Sequence, residues 1–416
     1  MVAPLSAAQP TVMRRSGSIP ASLERDGAPG MIYLDNAATS WPKPESVYEA
    51  LGNVLRTAGA NPGRAGHLMA VASANVVAET RRLLATLFNA EHPERIVFTA
   101  NATDALNLSI RGWLRPTSHA ITTSMEHNSV LRPLRDHERD GGTLTVVRAN
   151  ERGWIDPTAI AAAIRPETAL IALTHASNVT GAEMPIARIA EIARSHGILL
   201  LVDGAQTAGA RRIDVQDLGA DLFAFPGHKG LLGPTGTGGL YIGPRVDLGR
   251  LSPLRSGGTG IYSEDDEQPL DLPWRYEAGT LNTVGIAGLG RGVAWVLEHG
   301  PDLIDQREHA LMKRLLNGLR DIAGVTVFET EPDTKPAAVC SFVIEGWTPA
   351  DVGGVLDASF GIACRVGLHC APMAIETIGA GPRGTIRFSP GPFTTKDEID
   401  AAVSAVGELA ASPLTS

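Results

Sequence analysis

The chain is poor in cysteine, with only Cys340, Cys364 and Cys370 among its 416 residues. Three thiols cannot all pair with one another, and so long a chain gains little from so sparse a disulfide framework, so a reducing cytoplasm is the expected setting. An excess of positive charge is also missing. With 36 Lys and Arg against 45 Asp and Glu, the formal net charge is -9, and the basic footprint that nucleic-acid binding needs is absent. No apolar stretch approaches the ~18 residues of a membrane span; the longest runs, such as Ile198 to Val202, have the length of strands. Residues 1–30 are rich in Ala, Pro and Ser with Arg14 and Arg15. They have no continuous apolar segment of the secretory kind and read as a flexible arm, with an organellar presequence as the alternative. Nucleic acid and membrane are therefore not expected partners. What remains is a globular chain of ordinary composition, 44% hydrophobic and 19% charged.

A chain of this length exceeds what one core usually holds, so a large and a smaller unit are expected. From about residue 80, helical patterns alternate with short apolar runs, the mark of strands that cross over through helices into a mostly parallel sheet. Between 185 and 206 the unit is clearest. Pro185 suits a first helical turn; Ile186, Ile189, Ile192 and Ala193 share one face; Gly197 can end the helix in the left-handed conformation; Ile198 to Val202 then reads as a strand. Further strands are expected at 96–99, 119–123, 169–174, 222–225 and 239–242. After Thr283 the pattern changes to helices near 286–298 and 304–323 and strands near 325–329 and 338–344. The expected division is a large α/β domain over 31–283 and a smaller α+β domain over 284–416 that carries Cys370.

The residues that follow the strands are the informative ones: Asn101 to Thr103, Glu126-His127, His175 with Asn178, Asp203 with Gln206, and His228-Lys229. Ligands of an open α/β sheet bind beyond the carboxyl ends of its strands, so one large pocket is predicted there. Lys229, on a tight turn after a buried strand, is poorly placed for solvation and well placed to form a Schiff base with an aldehyde cofactor. A pyridoxal phosphate site needs such an amine, an acid for the pyridine nitrogen, groups for the ring, and phosphate donors. Asp203 supplies the acid, although a single Asp after a strand is more often a turn or cap residue. Gln206 can reach the phenolic oxygen and His127 can stack on the ring. Thr103 and Ala102 lie where a helix opens, and backbone N–H groups there can bind an anion; on its own, Thr103 would be an ordinary N-cap. His228 can also reach the phosphate. The tract Gly233 to Gly239 precedes a strand rather than a helix, so it is not a nucleotide loop; its expected job is to let backbone pass close to the site.

Cys370 stands in Arg365-Val366-Gly367-Leu368-His369-Cys370-Ala371-Pro372, as expected of an exposed loop, where Arg365 and His369 would favour the nucleophilic thiolate. Cys340, by contrast, reads as a packed hydrophobe. Arg387 lies in an apolar run, where burial of a guanidinium requires an anion: a substrate carboxylate, or an acid of its own domain. A metal-dependent hydrolase using His127, His175, His228 and Cys370 is a remote alternative. These histidines lack the close spacing of metal motifs, so no metal is expected.

The segments Tyr33-Leu34-Asp35-Asn36-Ala37-Ala38-Thr39, Glu126-His127-Asn128, Ser177-Asn178-Val179-Thr180-Gly181, Val202-Asp203-Gly204-Ala205-Gln206, Gly227-His228-Lys229 and Glu277-Ala278-Gly279-Thr280 resemble the cysteine desulfurases of the class V aminotransferase type, from about residue 31 to 400. The segment Arg365 to Cys370 resembles the sulfur-accepting loop of the group II desulfurase and selenocysteine lyase branch. The resemblance implies fold type I of the pyridoxal phosphate enzymes. It also implies conversion of L-cysteine, or selenocysteine, to L-alanine, with Lys229 taking the Cα proton, His127 assisting proton transfer and Cys370 receiving sulfur as a persulfide. Asn178 and Arg387, with Arg365, would bind the substrate. A sulfur-acceptor protein is implied, as is a homodimer in which Thr280 reaches the partner's cofactor phosphate. Selenocysteine lyase, β-lyase and class V aminotransferase are the alternatives. The chain departs from many relatives at Pro226 and Ala102, where they carry hydroxyl residues, and at Gly63-Arg64, which lacks a histidine common in the group II branch.

Overall fold

The computed structural model describes residues 30–63, 66–332 and 334–412. The expected arm up to Pro29, and Arg64, lie outside the described residues. The strands are β1 (Ile32–Tyr33), β2 (Ile96–Thr99), β3 (His119–Thr123), β4 (Thr143–Val147), β5 (Thr168–Thr174), β6 (Leu199–Asp203), β7 (Leu222–Pro226), β8 (Gly238–Ile242), β9 (Val325–Phe328), β10 (Cys340–Ile344), β11 (Ile362–Ala363), β12 (Arg365–Gly367) and β13 (Thr385–Phe388). A seven-stranded sheet has the order β2-β8-β7-β6-β5-β3-β4.

Its central strands are continuous apolar runs because both faces are covered, and successive residues alternate between two cores. Leu170, Leu201 and Leu222 pack with Leu106, Ile110, Val130 and Leu134 on one side. Ile171, Val202 and Phe223 face Leu84, Ile189 and Val293 on the other. The first layer uses helices Ala102–Trp113 and Asn128–Arg139; the second uses Leu68–Leu87, Ile186–Ser195 and Thr283–His299. Pro185 is the cap residue just before its helix rather than part of the first turn, and Gly197 is left-handed at φ 69° as expected.

The sheet is mixed. Strands β3 to β7 pair in parallel, but β8 runs antiparallel to both β7 and β2. A parallel return needs a crossover of about a dozen residues or more, usually through a helix. The segment between β7 and β8 holds no helix, so the chain comes straight back. Close backbone approach, as expected of the glycine tract, is what this return requires. A Cβ on Gly233 would sit 2.8 Å from the Gly227 carbonyl, and one on Gly238 2.7 Å from the backbone of Asn101. Strand β4 was not legible as a strand: it is an edge strand with Val147 its only buried residue.

A four-stranded antiparallel sheet, β12-β13-β10-β9, lies against helices Pro301–Arg320, Pro349–Phe360 and Lys396–Ala411 around Leu315, Phe342, Leu356, Phe388 and Val406. Strand β1 pairs with β11, and Leu34 belongs to this core, so the opening of the described chain is built into the smaller sheet's unit. Among the described residues, no helix is long and apolar enough to cross a membrane.

Candidate active site

Beyond the carboxyl ends of β2, β3, β5, β6 and β7 lies a cleft of about 770 Å³, counting its solvent-open mouth. The cleft brings together Ala102 and Thr103, His127, Asn178, Asp203 and Gln206, His228 and Lys229, and, from the smaller sheet, Arg365 and Arg387. Helix Ala102–Trp113 is capped by Asn101, whose Oδ1 accepts the Asp104 N–H at 2.9 Å. Thr103 is therefore not the N-cap. Its hydroxyl stands 2.8 Å from Ser129 Oγ, a residue also in the cleft wall that sequence reasoning passed over.

Asp203 is buried at the end of β6, where one carboxylate oxygen accepts the Ala205 N–H at 3.0 Å. Among the described residues no donor reaches the other oxygen. Burial pushes its pKa up, opposed by the nearby Lys229 charge. Gly204 beside it must lack a side chain, because a Cβ would run into the Phe223 ring. Lys229 keeps some surface open to the cleft but is otherwise enclosed by protein. Burial brings its pKa down to about 8, with Asp203 working against and Arg387 and Arg365 with that shift. Burial also lowers His127 and His228 to about 4, so both rings are neutral at physiological pH. Glu126, fully buried and raised to about 8 by burial, accepts from Thr123 Oγ1 at 2.5 Å and the Thr174 N–H at 2.8 Å. It thereby ties the ends of β3 and β5 just before His127.

At the other end of the cleft Arg387 is 2% exposed. Its guanidinium pairs with Asp35 at 2.7 Å and donates to the Asn178 carbonyl at 3.0 Å. The anion that a buried arginine requires is thus present in the protein, and Asp35 is a site residue whose role was not read from sequence. Arg387 Nε remains buried without a partner, as does His228 Nδ1. Buried polar atoms in native proteins are rarely left this way. Both residues line the cleft, and such orphaned atoms suit an anion or polar ligand.

Cys370 is exposed on the turn between β12 and helix Pro372–Thr377, and Arg365 Nη2 lies 3.7 Å from its Sγ. His369 and Cys370 both have left-handed backbone, φ 51° and 57°, a conformation uncommon outside glycine. The turn is pinned by Asn178 Nδ2 to the His369 carbonyl at 2.6 Å and by the Asn128 N–H to the Cys370 carbonyl at 2.8 Å. His369 does not assist the thiol as expected: its ring turns inward to Thr385 Oγ1 at 2.8 Å, and burial lowers its pKa to about 3. Arg365 alone of the two expected basic neighbours supplies charge there. Cys340 is buried, and burial raises its pKa to about 12.

Thr280 is exposed and outside the cleft, accepting from Asn61 Nδ2 at 3.4 Å. Its segment is anchored by Glu277, which pairs in two-pronged fashion with Arg81 at 2.7 and 2.8 Å. His175 points to Thr207 at 3.0 Å and Glu183 at 3.5 Å rather than to the other histidines. Among the described residues no three His, Cys, Asp or Glu converge as a metal-binding group.

The Aminotransferase class-V family model matches residues 32–402. A probable cysteine desulfurase of Halalkalibacterium halodurans is 37% identical over 388 residues, covering 91% of this chain and 92% of that protein. The apo structure of a cysteine desulfurase from Thermococcus onnurineus superposes with a TM-score of 0.85 at 32% identity, covering 92% of this chain and 95% of that one. A cysteine desulfurase of Escherichia coli superposes at 0.81 with 30% identity, over 91% and 94%.

Proposed function

The chain belongs to the class V aminotransferase family, and from that premise we propose that it is a cysteine desulfurase, converting L-cysteine to L-alanine and keeping the sulfur on Cys370 as a persulfide. One observation carries this reading: Lys229 and Asp203 share the wall of a cleft at whose Arg365 edge Cys370 is exposed.

The family uses pyridoxal phosphate, and the donor set here fits it. Lys229 would hold the aldehyde carbon and Asp203, with its free carboxylate oxygen, the ring nitrogen. Gln206 would meet the phenolic oxygen, and the neutral His127 ring would cover the ring face. Backbone N–H groups at Ala102 and Thr103, with the unpartnered Nδ1 of His228, would take the phosphate. That supply of donors suits a chain with Pro226 and Ala102, neither of which offers a hydroxyl. When bound, the cofactor supplies an electron sink for the bonds broken at the substrate's α and β carbons.

Everything else falls to the protein's own groups. The remaining Arg387 Nε–H and the Asn178 amide receive the substrate carboxylate. Lys229, with a pKa brought down to about 8, has a substantial neutral fraction near physiological pH and takes the Cα proton. Cys370 Sγ attacks the substrate sulfur. A sulfur–sulfur bond forms, the substrate carbon–sulfur bond breaks, and its electron pair stays with carbon, which gains a proton and leaves as alanine.

An exposed Cys370 is open to an acceptor protein. Thr280, outside its own cleft, suits a homodimer in which it serves the partner's phosphate site, and three unpaired thiols suit a reducing cytoplasm. Mass spectrometry of the purified protein after exposure to cysteine tests the proposal. One added sulfur on Cys370 is expected; a protein that makes alanine with sulfur nowhere on Cys370 would overturn it.

A further inference from the structure

We propose that Ser129 is a positioning residue: it presents His127 to the cleft as an Nε2–H donor and resupplies the ring with a proton at Nδ1. The Ser129 backbone N–H reaches His127 Nδ1 at 3.0 Å. An amide N–H can only donate, so Nδ1 must offer its lone pair, and a neutral ring then carries its proton on Nε2. The ring is neutral because burial, and after it the charges of Lys229, Arg365, Arg132 and Arg387, disfavour a second proton.

Such a ring is inert in proton transfer unless Nδ1 has a source. Losing the Nε2 proton alone would leave an imidazolate. The source is the Ser129 hydroxyl, 2.9 Å from Nδ1, which in turn lies 2.8 Å from the hydroxyl of exposed Thr103. As Nε2 gives its proton to a group in the cleft, Nδ1 takes the one on Ser129, Ser129 takes the one on Thr103, and Thr103 is replenished from solvent. Only N–H and O–H bonds form and break. The net change is one proton moved from solvent to the cleft, with the ring still neutral. The amide at Nδ1 then favours return to the starting tautomer.

The tautomer stands on geometry alone; the kinetic consequence rests on the proposed function. Ring-nitrogen NMR of isotope-labelled protein at neutral pH, assigned against His127→Gln, should find Nδ1 bare and Nε2 protonated. A proton on Nδ1, or on both nitrogens, overturns the inference. In the cofactor-loaded protein, Ser129→Ala should lower kcat about tenfold, a part of the ~10²–10⁴ that general acid–base catalysis supplies. KM and the visible absorbance should stay as they were. Ser129→Thr should restore the rate, and Ser129→Ala should cost nothing further in a His127→Gln background. An additive loss in the double variant, or a Thr variant no better than Ala, overturns the role. A protein without cofactor absorbance would sink the functional reading instead, and the NMR result would still decide the tautomer.

Discussion

The cleft wall at Lys229 and the turn at Cys370 feel the same guanidinium, Arg365, from opposite environments. Lys229 follows a strand buried on both faces and is enclosed so far that its ammonium form is disfavoured. Cys370 sits on an exposed turn held by two hydrogen bonds to its backbone. The difference teaches how one reaction divides its needs. Under the proposed function, an amine that sheds its proton gains from the loss of water, whereas a sulfur destined for an acceptor has to remain reachable.

The comparison breaks most completely at Lys229. Lys229→Ala should abolish both alanine formation and the visible absorbance of bound cofactor, measured on the same sample; a variant that keeps either one would separate Lys229 from the chemistry. Cys370→Ser should also abolish persulfide formation but leave that absorbance intact, so the two regions fail with different signatures. Persistent cysteine-dependent sulfur release at the wild-type rate would remove Cys370 from its role. Arg387→Lys should be milder. Losing charge-assisted hydrogen bonds to the carboxylate should raise KM for cysteine about tenfold to a hundredfold, and an unchanged KM would leave Arg387 with Asp35 as its only anion.

The smallest effect concerns stability rather than turnover. Behind Lys229 a second cavity is lined by Glu308, whose pKa burial raises from 4.5 to about 8. A carboxyl that keeps its proton longer when folded stabilises the fold at low pH and loses that contribution as pH rises through about 8. Glu308→Gln should therefore flatten the decline of the melting temperature between about pH 4.5 and 8. A slope identical to wild type would show that Glu308 does not hold its proton. Glu126, raised likewise, should keep part of the slope in place.

Much of this site could be read from the chain because a buried strand is a continuous apolar run, so the polar residues just after it stand out. The strand ends at Thr99, Thr123, Thr174, Asp203 and Pro226 were each followed by expected cleft residues. Edge strand β4 carries no such run, being mostly half-buried, and escaped notice. His369 was expected beside the thiol because it adjoins it in sequence; the left-handed turn instead sends its ring to Thr385. Ser129 was passed over because nothing in its spacing shows that its amide and hydroxyl both meet Nδ1.

By itself the sequence determined where chain reversals and buried runs fall, and hence which polar groups gather at one sheet edge, since hydrophobic period and turn residues act locally. Only the tertiary structure decided that Asp35 neutralises Arg387 across 352 positions, that β8 returns antiparallel, and that His127 Nδ1 meets both the amide and the hydroxyl of Ser129. Those outcomes depend on contacts between distant segments, and hydrogen-bond direction and ion pairing are set by the atoms that packing brings within about 3 Å, whatever their separation along the chain.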